Sequence, residues 1–260
     1  MLPETLQYSS VEVHGPIAMV TLARAETLNA LHPAAHHELQ HVFDTLAADT
    51  ALRCLIITGA GRAFCTGYDL KDNLETGVME IAEGGFAGLT LRSHYPLPII
   101  AAVNGICMGG GFELALACDM ILASTEAVFA LPEPKVGWSP LGGGLQRLPR
   151  AIGEKRAASI LLTGRKVAAE EGERLGFVNE VTPPEKLIER AMDWARQIAA
   201  CAPIAIRCNR LVAAEALTMP LSESLAADRF DIARTVMDSE DATEGKRAFV
   251  EKRAPVWRNC

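Results

Sequence analysis

Short apolar runs alternate with amphipathic stretches along the first half of the chain. The runs are flanked by turn residues and are short for helices, so they predict buried β-strands at Ile17–Leu22, Arg53–Thr58, Ile99–Val103 and Met120–Ala123. An apolar period near 3.6 predicts helices at residues 33–47, 109–117, 154–162, 185–200 and 221–252. Because strands alternate with helices, the pattern predicts an α/β fold.

The pattern changes beyond Pro183, where helical periods follow one another with no clear strand between them. We take the segment ERAMDWARQIAA as the last helix of the body. This divides the chain into an α/β core over residues 1–197 and a helical region over residues 198–260. Helices of this kind bury little apolar surface alone. We therefore expect the second region to pack on the core or on another subunit.

Composition narrows the range of partners. The chain has 260 residues, and a net charge of -7 disfavours nucleic acid, because phosphate binding needs a basic surface. Seven cysteines without a C-x-x-C pair predict reduced thiols and a cytoplasmic protein. The longest strongly apolar run, residues 98–103, is too short to cross a bilayer, so we expect no membrane partner.

The segment HELQH, residues 37–41, formally matches the H-E-x-x-H zinc signature of metalloproteases. Helical geometry disfavours a zinc site, because Leu39, Val42 and Phe43 define an apolar face that leaves His37 and His41 on the solvated side. No third ligand follows at a recognised spacing. We predict no metal at this segment.

Three consecutive glycines, Gly109 to Gly111, precede an apolar helical pattern that carries one acid, Glu113. The start of a helix exposes unpaired N–H groups and the positive end of the helix dipole. One explanation is therefore a binding site for an oxygen atom that carries negative charge. Close packing of the helix on a strand explains the glycines equally well. A dinucleotide fingerprint does not fit, because Leu114 occupies the place of the third glycine.

Two other segments place candidate residues after buried runs. In GRAFCTGYDL, residues 61–70, Gly67 lies at a predicted turn beside small residues. In FALPEPKVGWSPLGGGLQRL, residues 129–148, Glu133 lies between two prolines and precedes another glycine cluster. Each segment taken alone also fits an ordinary surface loop.

Seven segments follow one another along nearly the whole chain: RAETLNAL (24–31), AFCTGYDLK (63–71), AAVNGICMGGGFELALACD (101–119), FALPEPKVG (129–137), GGGLQRLPR (142–150), LLTGRKVAAEEGERLGFVNEV (161–181) and AFVEKR (248–253). In this order they resemble the crotonase superfamily, the enoyl-CoA hydratases and isomerases. The resemblance implies a spiral of ββα units with a C-terminal helical trimerisation region. Homotrimers and dimers of trimers both fit the family.

The resemblance also implies the catalytic residues. The backbone N–H groups of Tyr68 and Gly110 would form an oxyanion hole for the thioester carbonyl of an acyl-CoA. Glu113 would orient and deprotonate water and Glu133 would exchange the α-proton, although the two acids could share both roles. Coenzyme A enters as part of the substrate, and no prosthetic group or metal is implied.

The same resemblance assigns residues to the coenzyme A portion. The adenine would lie near the backbone of Glu26, Thr27 and Leu28. Phe249 and Lys252 would reach the coenzyme A of a neighbouring subunit, the lysine as a charge for phosphate. An amphipathic helix with a solvated lysine explains these last two residues equally well.

Three segments resemble carnitinyl-CoA dehydratases within the superfamily: GGFAGLT (84–90), GGGFELALACD (109–119) and SEDATEGKRAFVEKRAPVW (239–257). Those enzymes interconvert carnitinyl-CoA with crotonobetainyl-CoA and water. A trimethylammonium head favours aromatic faces, for which the candidates are Tyr68, Phe86, Phe112 and Trp138. Core packing or an ordinary acyl chain explains these aromatic residues as well. At position 141, where members of the family commonly have glycine near the acyl pocket, this chain has leucine. The resemblance therefore leaves the preferred length and shape of the acyl chain open.

Having both acids favours hydration, so we predict an enoyl-CoA hydratase that adds water reversibly to a 2-enoyl-CoA thioester. One alternative is an enoyl-CoA isomerase or another crotonase-type acyl-CoA enzyme. Outside catalysis, the alternative is a scaffold that binds coenzyme A without turnover.

Overall fold

The computed structural model describes residues 5–226 and 229–260. Contacts among the described residues divide them into two compact units, one up to Ala195 and one from Arg196 to Cys260. The assignment of residues 1–197 and 198–260 to a catalytic core and an oligomerisation region stays a prediction. No helix in the described ranges is long and apolar enough to span a lipid bilayer.

Two β-sheets form the centre of the first unit. Its strands are β1 (Ser9–His14), β2 (Ile17–Leu22), β3 (Cys54–Gly59), β4 (Ala63–Cys65), β5 (Ile99–Val103), β6 (Ile106–Met108), β7 (Met120–Ser124), β8 (Val128–Ala130), β9 (Val167–Ala168) and β10 (Glu180–Thr182). The larger sheet has the order β1-β2-β3-β5-β7-β10, and the smaller one has the order β4-β6-β8-β9. Only the β1–β2 and β8–β9 pairs among them are antiparallel.

Successive strand pairs divide between the two sheets. Strands β3, β5 and β7 enter the larger sheet, and the strand that follows each of them, β4, β6 and β8, enters the smaller one. Helices follow the first two pairs directly. This repetition confirms the predicted α/β spiral of ββα units.

The helices cover the sheets of the first unit and make up most of the second. In the first they are α1 (Pro33–Ala48), α2 (Leu70–Thr76), α3 (Gly110–Ala117), α4 (Gly144–Ile152), α5 (Glu154–Leu161) and α6 (Ala169–Leu175), and α7 (Leu187–Ala199) follows. In the second they are α8 (Pro203–Ala216), α9 (Leu221–Ser224), α10 (Asp231–Asp238) and α11 (Glu240–Glu251). Short 3-10 helices span Ala25–Thr27, Phe86–Gly88, Glu133–Val136 and Pro184–Lys186.

The local sequence explains how the first long helix begins and which face it buries. Pro33 occupies the first turn of α1, where its missing N–H costs no hydrogen bond. The N-cap His32 accepts a hydrogen bond from the Ala35 N–H through Nδ1 at 3.2 Å. The predicted apolar face, which includes Leu39 and Phe43, is buried in the hydrophobic core.

The four predicted strands are confirmed as β2, β3, β5 and β7, which are neighbours at the centre of the larger sheet. They carry the apolar runs because parallel strands at the centre of a sheet are covered on both faces. The strands of the smaller sheet have two or three residues each and were not predicted. A run of that length carries no detectable period.

The helical stretch predicted at 221–252 is not one continuous helix in the described residues. Helices α9, α10 and α11 replace it, and residues 227 and 228 lie outside the described ranges. Ser239 has an extended backbone between α10 and α11, and its hydroxyl caps α11 by accepting the Ala242 N–H at 3.0 Å. Serine prefers this position to a helix interior. Helix α8 was also missed.

Candidate active site

The four predicted catalytic residues line one pocket of the first unit. Its cavity has a volume of about 610 Å³, and Tyr68, Gly110, Glu113 and Glu133 all contribute to its wall. Tyr68 follows β4, Gly110 and Glu113 lie in the first turn of α3, and Glu133 begins a 3-10 helix after β8. The repeated strand pairs therefore bring distant segments of the chain together at one site.

The three glycines at the start of α3 have three different roles. Gly109 has φ 55° and ψ -130°, a backbone conformation that a side chain disfavours. A Cβ on Gly110 would lie 2.5 Å from the Phe86 ring, and a Cβ on Gly111 would lie 2.1 Å from the Cys65 carbonyl oxygen. The close-packing explanation is therefore confirmed, and the binding of a negatively charged oxygen stays a prediction. Gly111 permits close packing, and Gly110 begins the helix at the pocket wall.

The segments that carry Tyr68 and Gly110 are in direct contact. Gly67 has φ 98°, and a Cβ at this position would lie only 3.1 Å from the Gly110 nitrogen. Among the described residues, no backbone acceptor takes a hydrogen bond from the Tyr68 or Gly110 amide. Gly110 is the first residue of α3, where an N–H has no intrahelical partner. The pocket wall therefore carries two segments whose amides donate to no backbone acceptor, as the predicted oxyanion hole requires, and the oxyanion hole itself stays a prediction.

A set of hydrogen bonds fixes the backbone on both sides of the Tyr68 amide. The Leu31 N–H donates to the Gly67 carbonyl at 2.9 Å, and the Asp69 N–H donates to the Leu31 carbonyl at 3.0 Å. The Asp69 carboxylate also forms an ion pair with Arg24 at 2.9 Å. These contacts hold Tyr68 in one backbone conformation.

The Glu113 carboxyl is buried but partly stabilised as an anion. Only 5% of the residue is exposed, and Oε1 accepts the Gly144 N–H at 2.9 Å. Burial raises the pKa of Glu113, whereas hydrogen bonds from the amides of Gly144 and Gly142 and the charge of Arg147 act in the opposite direction. Glu113 is therefore anchored at one oxygen.

The Glu133 carboxyl has fewer contacts that stabilise its anionic form than the Glu113 carboxyl has. Prolines flank it on both sides, only 9% of the residue is exposed, and Oε2 has no hydrogen-bond partner in the described chain. Burial raises the pKa of Glu133 to about 7, and the negative charge of Glu113 adds to the rise. Glu133 therefore retains its proton to a higher pH than an ordinary glutamic acid.

The residues predicted to bind coenzyme A lie in two places. Glu26 and Thr27 belong to the 3-10 helix Ala25–Thr27, and the Leu28 carbonyl accepts the Thr66 hydroxyl at 3.3 Å. Because Thr66 lines the pocket, this backbone lies beside the pocket wall. Phe249 and Lys252, at the end of α11, belong to the second unit and are both exposed. All five assignments stay predictions.

Of the four aromatic candidates, Tyr68, Phe86 and Trp138 line the pocket. The suggestion that Phe112 lies there is wrong. Its ring is fully buried and packs on Phe129 and Phe177 with ring centres 5.1 Å away in each case. The side chain after Gly111 points into the core because the helical period turns it away from Glu113. Leu141 does line the pocket and is 72% exposed.

The HELQH histidines lie on the exposed side of α1, as predicted. His37 pairs with Glu80 at 2.9 Å, and neither His37 nor His41 contributes to the pocket. Within residues 5–226 and 229–260, no three side chains of metal-binding type cluster.

Three residues that support the site were not identified from the sequence. Arg24 holds Asp69, Arg147 acts on Glu113, and His36 is buried on α1 in contact with Tyr68. For His36 a signal was available, because it precedes Leu39 by three residues and shares the buried face. Arg24 and Arg147 lie in two of the segments that resemble the family, RAETLNAL and GGGLQRLPR, but no local pattern assigned a role to either one.

The pocket thus brings together two buried carboxyl groups and the backbone segments of Tyr68 and Gly110. A family model described as "Enoyl-CoA hydratase/isomerase" matches residues 12–259. This match spans more than half of the chain, and the chain belongs to the enoyl-CoA hydratase/isomerase family, the crotonase superfamily.

Individual relatives agree with this membership. Carnitinyl-CoA dehydratases from Citrobacter koseri and Salmonella typhi are each 41% identical over 251 residues, which cover 94% of this chain and 96% of theirs. An enoyl-CoA hydratase structure from Mycobacterium tuberculosis H37Rv matches with a TM-score of 0.92 and 36% identity over 97% of this chain and 99% of that one. The enoyl-CoA hydratase structure from Bacillus anthracis has a TM-score of 0.90 and 34% identity, with coverages of 98% and 100%.

Proposed function

We propose that the protein catalyses the reversible addition of water to the double bond of a 2-enoyl-CoA thioester. The observation that carries the proposal is the pairing of Glu113 and Glu133 in one pocket, in environments that separate their proton affinities. Paired acids of unequal pKa can act as base and acid at the same time. Family membership supports an acyl-CoA substrate.

In this mechanism the Tyr68 and Gly110 amides hold the thioester oxygen. Attack of water at the β-carbon moves electrons toward the carbonyl and gives an enolate oxygen with negative charge. Two preorganised N–H donors stabilise that charge, and loss of one such donor typically costs about 100-fold to 1000-fold in rate.

The two carboxyl groups move the protons. Glu113, held by the Gly144 amide, takes the proton of the attacking water, and protonated Glu133 gives its proton to the α-carbon. The pair therefore begins and ends the reaction with one proton, and only its location changes. In dehydration the same steps run in reverse.

The carnitinyl-CoA dehydratases at 41% identity favour a second candidate substrate, crotonobetainyl-CoA. Faces of Tyr68, Phe86 and Trp138 at the pocket wall would suit a trimethylammonium head. Aliphatic side chains line the same wall and suit an uncharged acyl chain; they are Leu70, Met79, Ile81, Leu91, Val136 and Leu141.

Loss of enoyl thioester absorbance with crotonyl-CoA and crotonobetainyl-CoA tests the function. We expect hydration of at least one, abolished in Glu133→Gln and strongly reduced in Glu113→Gln. Glu126→Gln, at an exposed carboxyl outside the pocket, should match the wild type. Equal rates in all variants would contradict the two-acid mechanism. Interconversion of a 3-enoyl-CoA with a 2-enoyl-CoA without hydration would favour an isomerase. Binding of the acyl-CoA without any turnover would favour a noncatalytic scaffold.

A further inference from the structure

His36 is a buried, titratable side chain that the proposed reaction does not use. It lies on the inner face of α1, is fully buried, and does not line the pocket. Its ring stacks on the Tyr68 ring, with centres 5.5 Å apart and planes at 25°, and meets the Phe86 ring edge-on at 4.7 Å. His36 therefore lies behind two residues of the pocket wall.

One hydrogen bond connects His36 to the segment that carries Phe86. Its Nδ1 accepts the Ala87 N–H at 2.9 Å, which requires a neutral ring with the proton on Nε2. Burial lowers the pKa of His36 to about 3, so the acceptor is available throughout the neutral range. Ala87 has φ 53°, a left-handed conformation that alanine rarely adopts without surrounding contacts to hold it.

Phe86 in turn packs against the start of α3. Its ring atoms lie so close to Gly110 that a Cβ at that position would be 2.5 Å from Cε2. The Phe86 N–H donates to the Thr90 hydroxyl at 2.9 Å, which secures the other side of this turn. The position of the Phe86 ring therefore limits where the Gly110 amide can lie.

We propose that His36 is a positioning residue for the oxyanion hole. It contacts Tyr68 directly by ring stacking. It acts on Gly110 indirectly, through its hydrogen bond to Ala87 and the packing of Phe86, so that one side chain fixes the positions of both donors. The inference rests on the proposed function for the identity of the bound oxygen. An oxyanion hole acts only at fixed geometry, and a displacement of about 1 Å can cost roughly 100-fold in rate.

Two variants of His36 that both remove the ring distinguish the effect of the hydrogen bond to Ala87 from the effect of side-chain packing. In His36→Asn the amide oxygen occupies the place of Nδ1 and can accept the Ala87 N–H, whereas His36→Leu fills nearly the same volume without an acceptor. His41→Asn, on the exposed face of the same helix, is the control. If His36→Leu does not fold, His36→Phe replaces it, because it keeps the ring stack but also lacks the acceptor.

Two readouts report on the donors. The first is the absorbance of a bound cinnamoyl-CoA in a Glu133→Gln background, where hydrogen bonds to the thioester carbonyl shift the band to longer wavelength without turnover. The second is the separation of kcat from KM in the otherwise unchanged protein. We expect His36→Leu to lose most of the shift and roughly tenfold to 100-fold in kcat, with KM within about threefold. His36→Asn keeps the acceptor but loses the ring stack, so it should lose clearly less of the shift and of kcat than His36→Leu.

A full absorbance shift and wild-type kcat in folded His36→Leu or His36→Phe would overturn the proposal. So would equal losses in His36→Asn and His36→Leu, since they would show that the acceptor is irrelevant. If the wild type shifts the ligand band but does not hydrate enoyl-CoA, the proposed function fails, and the band shift of the His36 variants still decides the role of His36. If the wild type hydrates but the variants are unaffected, only the role of His36 fails.

Discussion

The two acids of the pocket are chemically identical, and their surroundings give them different proton affinities. Burial raises the pKa of both acids, but two amides and Arg147 partly offset this rise at Glu113, whereas the negative charge of Glu113 adds to it at Glu133. Because the two groups interact, the observed pKa values describe the pair and not either acid alone. The form with one proton on the pair is the one that can donate to carbon and accept from water.

We expect kcat/KM to follow a bell-shaped pH profile. Its alkaline limb should lie near pH 7, where Glu133 loses the last proton of the pair. Its acid limb should lie above the ordinary pKa of a glutamic acid, because burial raises the pKa of Glu113. Hydration and dehydration should share this profile, because water addition changes no net proton count. The measurement is the initial rate in both directions across pH 5–9.

Removing the Glu113 charge provides the control. In Glu113→Gln the residual alkaline limb should move to lower pH, since that charge helps to raise the pKa of Glu133. An alkaline limb that stays in place would contradict the coupling of the two acids.

The Tyr68 side chain should contribute less than its backbone. The phenolic oxygen accepts the Glu80 N–H at 3.0 Å, and the ring stacks on His36. Tyr68→Phe keeps the amide and the stack, so we expect kcat within about threefold of wild type and a moderate rise in KM as the segment near Glu80 loosens. Steady-state kinetics with crotonyl-CoA measure both, and a 100-fold loss of kcat would assign the catalytic role to the hydroxyl instead.

At the scale of elements, the long apolar strands could be predicted and the short ones could not. Strands β2 and β5 are continuous apolar runs with identical predicted and observed bounds. The three-residue strand β4 holds its place through pairing with β6, which is distant in sequence. The meeting of Glu113 with Glu133 depends on such pairing, so family resemblance predicted it and local pattern did not.

The glycines at the start of α3 allow close packing of α3 on β4 and also place the start of α3 at the pocket wall. Gly111 lies in α3 against the β4 backbone, so Gly111→Ala should destabilise the fold by about 1–3 kcal/mol through overpacking. Gly245→Ala in α11 meets only the edge of the Trp257 ring at 3.3 Å and should be near neutral. Urea unfolding of both variants measures the difference, and equal midpoints would contradict the close approach of α3 and β4.

At the scale of the whole molecule, the second unit exposes many large apolar side chains. Leu217, Leu221, Leu225, Met237, Phe249 and Val250 are each 72% to 86% exposed. Apolar side chains exposed in this number favour an interaction site where they form a contiguous patch. We propose that it mediates the homotrimer or dimer of trimers that the family resemblance implies, and a cytoplasmic location stays a prediction.

Sedimentation equilibrium tests this assembly. The wild type should sediment as a trimer or hexamer, and the double variant Leu221→Asp with Leu225→Asp should shift toward monomer. Leu74→Asp, at an 86% exposed position of α2, should leave the mass unchanged. A wild type that is monomeric at all concentrations would contradict the proposal.

Isotope incorporation tests the central claim most directly. Crotonyl-CoA is incubated with the protein in H2¹⁸O or in D2O, and the product is analysed by mass spectrometry at early times. Water addition by Glu113 and Glu133 predicts one ¹⁸O at the β-carbon and one deuterium at the α-carbon, with neither in Glu133→Gln. Deuterium without ¹⁸O, or full incorporation of both in Glu133→Gln, would contradict it.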